Sequence, residues 1–103
     1  MSKLTLQVLW FKNSLGLAVN QKTSSGLFPI TAYYFWPINE AWEQLQIELK
    51  SKPWIEEGEQ IKLLNLAVEV INQWQQTQND TTNATAPSND IKRHSQINVV
   101  GSL

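Results

Sequence analysis

Apolar and polar residues alternate along residues 4–11, setting Leu4, Leu6, Val8 and Trp10 on one side and Thr5, Gln7, Leu9 and Phe11 on the other. A period of two predicts a β-strand. Lys12, Asn13 and Ser14 supply turn residues, after which Leu15, Leu17 and Val19 alternate with Gly16, Ala18 and Asn20. The economical pairing of the two segments is a hairpin. Residues 21–26 read as a polar loop. Ile30, Ala32, Tyr34 and Trp36 alternate with Thr31, Tyr33 and Phe35 and predict a third strand. Pro29 has no N–H for a ladder and belongs at the start of that strand or on an edge.

The period changes after Pro37. Asn39 offers an oxygen to cap a helix, and Ile38, Trp42, Leu45 and Leu49 form one apolar stripe opposed by Glu43, Gln46 and Lys50. Pro53 ends this helix, because the residue before a proline is pushed out of helical geometry. A second helix is expected from the acidic run Glu56 to Glu59, which complements the positive end of a helix dipole. Ile61, Leu64, Val68 and Ile71, joined by Leu63, Ala67, Val70 and Trp74, cover about half its circumference and predict deep packing. The alternative is a docking surface on part of that face, with Leu66 and Trp74 foremost. The fold class that follows is α+β: an antiparallel sheet of about three strands with two helices on one face. The core is expected to contain Trp10, Trp36, Trp42, Leu45, Leu64, Val68 and Ile71.

From Gln75 the chain turns to Gln, Asn, Thr, Ser and Ala, without periodic apolar positions as far as Lys92. Residues 1–76 are therefore expected to form one globular domain, and 77–103 a polar, disordered tail that buries too little surface to offset its ordering entropy. Lys92, Arg93 and His94 form a small basic island in that tail, and Ile97 to Val100 suggest a short strand added to a partner.

The chain has 103 residues, 42% of them hydrophobic and 17% charged, which suits one small core and not two. It contains no cysteine, which excludes disulfides and thiolate metal sites. The N-terminus reads as a strand rather than a signal peptide, and the longest apolar run is broken by two prolines and too short for a membrane helix. A soluble, unexported protein is the expectation.

The net charge of −1 hides an asymmetry. Residues 1–39 carry Lys3, Lys12 and Lys22 and no acid, net +3; residues 40–76 carry seven glutamates against Lys50, Lys52 and Lys62, net −4. Such polarity orients a protein toward an anionic partner. Catalytic chemistry finds little support. His94 is the only histidine, so no histidine metal cluster or Ser-His-Asp triad can be built, and the four glycines are isolated, so no phosphate loop exists. No metal, cofactor or small-molecule substrate is implied. Glu40 and Glu43 lie three apart on a helix and read as a solvated face.

Three pieces in one order carry a family resemblance: Leu4-Thr-Leu-Gln-Val-Leu-Trp10; then Leu27-Phe-Pro-Ile-Thr-Ala-Tyr-Tyr-Phe-Trp-Pro37 with Glu40-Ala-Trp-Glu-Gln-Leu45; then Ser51-Lys-Pro-Trp-Ile55 with Ile61 to Leu66 and Val70 to Trp74. Over residues 3–76 the chain resembles the plastid-specific ribosomal protein three family. The resemblance implies a structural, non-enzymatic component of the small (30S) ribosomal subunit of cyanobacteria or chloroplasts. Its partners would be ribosomal RNA and neighbouring ribosomal proteins, and its location the cyanobacterial cytoplasm or plastid stroma. Two positions depart from the family pattern: Ile38 follows Phe-Trp-Pro where a basic residue is frequent, and Gln46 stands where lysine is frequent. The RNA-contact candidates are therefore Lys3, Lys12 and Lys22, then Lys50 and Lys52, with Tyr33, Phe35 and Trp54 as stacking or partner contacts. The rival reading is a non-ribosomal interaction adaptor that uses the aromatic surface and touches no nucleic acid.

Overall fold

Five strands and two helices follow one another in the computed structural model, which describes residues 3–79 and 94–102. In chain order they are β1 (Lys3–Trp10), β2 (Leu15–Thr23), β3 (Gly26–Pro29), β4 (Tyr34–Trp36), α1 (Ala41–Lys50), α2 (Glu57–Asn79) and β5 (Ile97–Ser102). The sheet order is β3-β2-β1-β5, with β4 also pairing β2. The architecture is α+β with two helices, and the sheet has two strands more than the alternation predicts.

The first added strand arises because the expected third strand is interrupted. β3 pairs the far half of β2, from Asn20 opposite Pro29 to Thr23 opposite Gly26, and β4 pairs its near half, from Leu15 opposite Trp36 to Leu17 opposite Tyr34. Between them the backbone N–H groups of Ile30 and Thr31 both donate to the Val19 carbonyl, at 2.9 and 3.1 Å. The Thr31 hydroxyl accepts from the Val19 N–H at 3.0 Å and donates to the Ala32 carbonyl at 2.8 Å. A side chain thus replaces a ladder partner and lets the strand bulge without leaving a buried polar group unmet. Residues 21–23 lie in β2, not in a loop, and Pro29 lies on the edge but ends its strand.

The second added strand comes from the polar tail. β5 runs parallel to β1, Leu6 opposite Ile97 and Val8 opposite Val99, with Gln96 accepting from the Leu6 N–H at 2.7 Å. An open edge of β1 would present unpaired backbone groups beside the core, and β5 satisfies them. Ile97 is buried, so residues 97–102 join the sheet of this same chain rather than a partner's. α2 extends past 76 to Asn79, while the expectation of disorder for residues 80–93, which include Lys92 and Arg93, lies outside the described residues.

Both helices pack on one face of the sheet. Leu4, Leu6, Val8 and Trp10 of β1 and Leu15, Leu17 and Val19 of β2 join Ala41, Leu45 and Leu49 of α1 and Leu63, Leu64, Ala67, Val70, Ile71 and Trp74 of α2 in one core. Trp74 is pinned by an Nε1–H donated to the Phe11 carbonyl at 2.9 Å, and Trp42, half-buried, donates to the Leu64 carbonyl at 3.2 Å. Leu66 and Trp74 are buried and so form no docking surface. Trp36 packs half-buried against the core.

Val68, Ile61 and Ile38 depart from expectation at 39%, 51% and 73% exposure. Val68 and Ile61 sit on the rim of a stripe centred on Leu63, Ala67, Val70 and Trp74. Ile38 lies in the turn before α1, which begins at Ala41, and so is not part of the helix face of Leu45. Asn39 does not cap α1 either: its Oδ1 accepts from the Phe35 N–H at 3.2 Å, closing that turn. Glu40, left-handed at φ 50°, precedes the helix without a side-chain cap. Among the described residues no helix is long and apolar enough to cross a membrane.

Candidate nucleic-acid interface

The charge asymmetry of the sequence becomes an asymmetry of layers. Residues 1–39, which hold no acid, supply β1 to β4, while the seven glutamates of residues 40–76 lie on the helices and the segments just before them. The protein thus has a basic sheet and an acidic helix layer. Among the described residues the one ion pair is Lys52 Nζ to Glu48 Oε2 at 3.3 Å, within the helix layer.

The five lysine candidates are not gathered into one patch. Lys12 is exposed in the turn between β1 and β2, and Lys22 is exposed near the end of β2, where its register partner is Lys3. Seven register steps of about 3.4 Å separate Lys12's end of the hairpin from that of Lys22, roughly 24 Å in all. This exceeds two screening lengths of about 8 Å at physiological salt, so the two charges act independently. Lys50 is exposed in the last turn of α1, where a cation complements the helix dipole. Lys52 is engaged: Glu48 accepts from Lys52 at one oxygen and from the Tyr34 hydroxyl, at 3.2 Å, at the other.

That triad perturbs a phenol. Burial, then the Glu48 charge, then the hydrogen bond to Glu48 raise Tyr34 above the usual value of 10.0. Burial alone raises Tyr33. Glu43 is raised by a hydrogen bond with Glu40 and by that carboxylate's charge, so the two glutamates do meet, on the solvent side of α1.

The aromatic candidates divide. Trp54 is 56% exposed beside Ile55, Glu56 and Glu59 in an open hollow of about 410 Å³, and Tyr33 is exposed in the bulge before β4. Phe35 is half-buried on the sheet face opposite the helices, stacked on Phe11 with ring centroids 6.4 Å apart and planes 15° from parallel. Its ring lies against the backbone of Gly16, where an added Cβ would come within 2.9 Å of Phe35 Cε1 and 3.0 Å of Leu9 Cβ.

Sequence reasoning did not find the Phe11–Phe35 pair, nor the polar ladder beside it. In that ladder Asn98 Nδ2 donates to Gln7 Oε1 at 2.8 Å and Gln7 Nε2 donates to Thr5 Oγ1 at 2.8 Å. The available signal was apolar Leu9 and Phe11 on the second face of β1, together with a lone glycine inside β2, which marks close approach of another group.

A model of the family described as plastid and cyanobacterial ribosomal protein (PSRP-3 / Ycf65) matches residues 30–77, which span β4, α1 and nearly all of α2. The chain is 45% identical over 82 residues to the small ribosomal subunit protein cS23 of Gracilaria tenuistipitata var. liui, covering 80% of this chain and 83% of that one. It is 51% identical over 75 residues to the probable small ribosomal subunit protein cS23 of Synechococcus sp. (strain JA-2-3B'a(2-13)), covering 73% and 76%. It is 39% identical over 82 residues to the small ribosomal subunit protein cS23z of Arabidopsis thaliana, covering 79% of this chain and 49% of that one.

Proposed function

The chain belongs to the plastid and cyanobacterial ribosomal protein (PSRP-3 / Ycf65) family, and from that premise we infer that it is a structural, non-enzymatic component of the small ribosomal subunit. It is ribosome-associated, in the cytoplasm of a cyanobacterium or in a plastid stroma. The observation that carries this reading is identity of 45% or more along about three quarters or more of both partners' length with proteins named for that subunit.

How it attaches follows from the two layers. The basic sheet turns toward ribosomal RNA, with Lys12 and Lys22 exposed and free of ion pairs among the described residues and Lys3 at the register position opposite Lys22. The acidic helix layer, with Trp54 exposed at its edge, turns toward basic neighbouring proteins. Lys50 and Lys52 contribute less, the first serving the helix end and the second Glu48. Each phosphate neutralised adds about −0.7 to −0.9 to the slope of log affinity against log salt, so three lysines give a slope of about −2 to −3. Attachment of this kind is released by moderate salt.

Density-gradient sedimentation of extract at low and high salt, with this chain followed by antibody, tests the reading. Co-migration with free small subunits at low salt and release at high salt is the expected result. A signal confined to the soluble fractions at every salt concentration would refute it.

A further inference from the structure

The hollow of about 410 Å³ beside Trp54 lies where the α1–α2 connection and the start of α2 meet Leu4 of β1, Gln21 of β2 and Gln96 just before β5. Its floor is apolar, made by the buried side chains of Leu4 and Ile55, and its rim is accessible, with Trp54 and Glu56 exposed and Glu59 half-buried. Gln96 is buried and spends its amide on this rim. Its Nε2 donates to Glu59 Oε1 at 3.1 Å and to the Leu4 carbonyl at 3.4 Å. Glu59 Oε2 and both carboxylate oxygens of Glu56 keep no hydrogen-bond partner, and neither glutamate has an ion pair, among the described residues. The start of a helix carries only about half a positive charge. Glu56, Glu57 and Glu59 outweigh it, so the rim stays negative.

Resting on the ribosomal reading above, we propose that this hollow docks an arginine side chain of a basic neighbouring protein. The guanidinium stacks on the Trp54 indole, where the ring quadrupole attracts a cation. Glu59 and Glu56 accept its N–H groups as charge-assisted hydrogen bonds. Its aliphatic stem covers Leu4 and Ile55 while the charged head stays at the rim. Arginine suits the site better than lysine, because a planar fork of donors stacks on an aromatic face and reaches two carboxylates at once, whereas an ammonium is a strongly hydrated point charge. RNA is disfavoured here: its phosphates would meet three glutamates of like charge. An apolar partner would bury the Glu59 carboxylate without a cation to pair it. Exposure of a tryptophan beside two carboxylates that lack cations thus selects a positively charged protein group.

The test titrates the nitrogen-15-labelled full chain with a capped glycyl-arginyl-glycine tripeptide at low ionic strength, following the indole N–H of Trp54 and the backbone amide of Ile55 by NMR. Both signals are expected to shift with the arginine peptide, about threefold less tightly or worse with its lysine counterpart, and not at all with its glutamate counterpart. Trp54→Leu, read at the Ile55 amide, is expected to weaken binding roughly two- to thirtyfold. Glu56→Gln and Glu59→Gln should each weaken it roughly two- to fivefold. Glu59→Gln keeps an oxygen to accept from Gln96, so it removes the charge alone. Glu69→Gln, an exposed glutamate ten residues further along α2, leaves affinity unchanged. Thermal unfolding of each variant establishes that the fold is retained, and the two glutamate variants still test the site if Trp54→Leu fails to fold. On salt-stripped small subunits, a chain carrying both Glu56→Gln and Glu59→Gln is expected to rebind at least threefold more weakly than wild type.

Absence of a shift at Trp54, equal binding of the arginine and lysine peptides, or an equal loss from Glu69→Gln would overturn the site. So would a larger shift from an adenylate dodecamer than from the arginine peptide, the result expected if Trp54 stacks on RNA. Wild-type sedimentation with subunits is the separate control. Its failure removes the ribosomal reading, whereas its success beside a double variant that rebinds normally removes only the arginine site.

Discussion

The two faces of the sheet are built from alternate residues of the same strands, yet they are held together differently. On the covered face Leu6, Val8, Trp10, Leu15, Leu17 and Val19 are each no more than 1% exposed and share one core with both helices. On the other face Thr5, Gln7 and Leu9 of β1 are opposed by Asn20, Ala18 and Gly16 of β2, and Thr5, Gln7 and Ala18 are buried there too, at 7%, 2% and 1%, although no helix packs on them among the described residues. Side chains on the first face are held by packing from several elements and tolerate little loss of volume. Those on the second are held by hydrogen bonds among Thr5, Gln7 and Asn98 and by the Phe11–Phe35 ring contact. A period-two strand separates apolar packing from a hydrogen-bonded polar arrangement by one residue.

The largest effect expected from breaking this contrast is on the covered face. Trp10→Ala should destabilise the domain by about 3–5 kcal/mol in urea unfolding, since it removes the largest of the fully buried side chains. That is a large share of the roughly 5–15 kcal/mol typical of a domain. Ile97→Ala removes buried volume from an edge strand with fewer neighbours, and a loss of about 2 kcal/mol, the low end for such truncations, is expected from the same measurement. A negligible loss would mean that the Ile97 side chain does not pack in the core.

Gly16→Ala tests the second face. Its new Cβ would meet the rigid Phe35 ring and Leu9 Cβ at 2.9 and 3.0 Å, forcing the ring off the sheet at a cost of about 1–3 kcal/mol. If unfolding is unchanged, Phe35 does not rest on this glycine.

The smallest effect concerns the rim between the layers. Tyr34 titrates above the usual phenol value because burial, the Glu48 charge and the hydrogen bond to it favour the neutral form. A group raised in the folded state contributes stability that is fully present below its unfolded pKa, near 10, and lost as pH rises through the folded value. The thermal midpoint should thus decline in alkaline buffer. Glu48→Gln should bring the phenolate titration, read by ultraviolet absorbance, partway back toward normal, leaving the part due to burial. An unchanged titration would show that Glu48 does not act on Tyr34.

Much of the covered face was legible from alternation alone, because burial on one side imposes a strict pattern on β1 and β2 and a stripe on α2. The helices were legible for the same reason, although Val68 and Ile61 at the stripe's margin were not distinguishable from its centre. Asn39 was misread because a side-chain oxygen beside a helix start serves equally to close the preceding turn, and the choice depends on where the Phe35 N–H lies. The candidate site was less legible. Lys12 and Lys22 could be named from the lack of nearby acids, but Lys52 is bound to Glu48, and no spacing reveals that Phe35 meets Phe11 across β2.

The sequence by itself determined the fold class, the strand and helix periods, the charge division at residue 39 and, through its aromatic motifs, the family. Each of these is a local or additive property of the chain. The tertiary structure decided that Thr31 breaks one strand into two, that Ile97 to Ser102 complete the sheet beside β1, and that Phe11, Gly16, Phe35 and Asn98 share the face opposite the helices. Those outcomes depend on backbone groups and side chains distant in sequence satisfying one another, and only the assembled sheet brings them within reach.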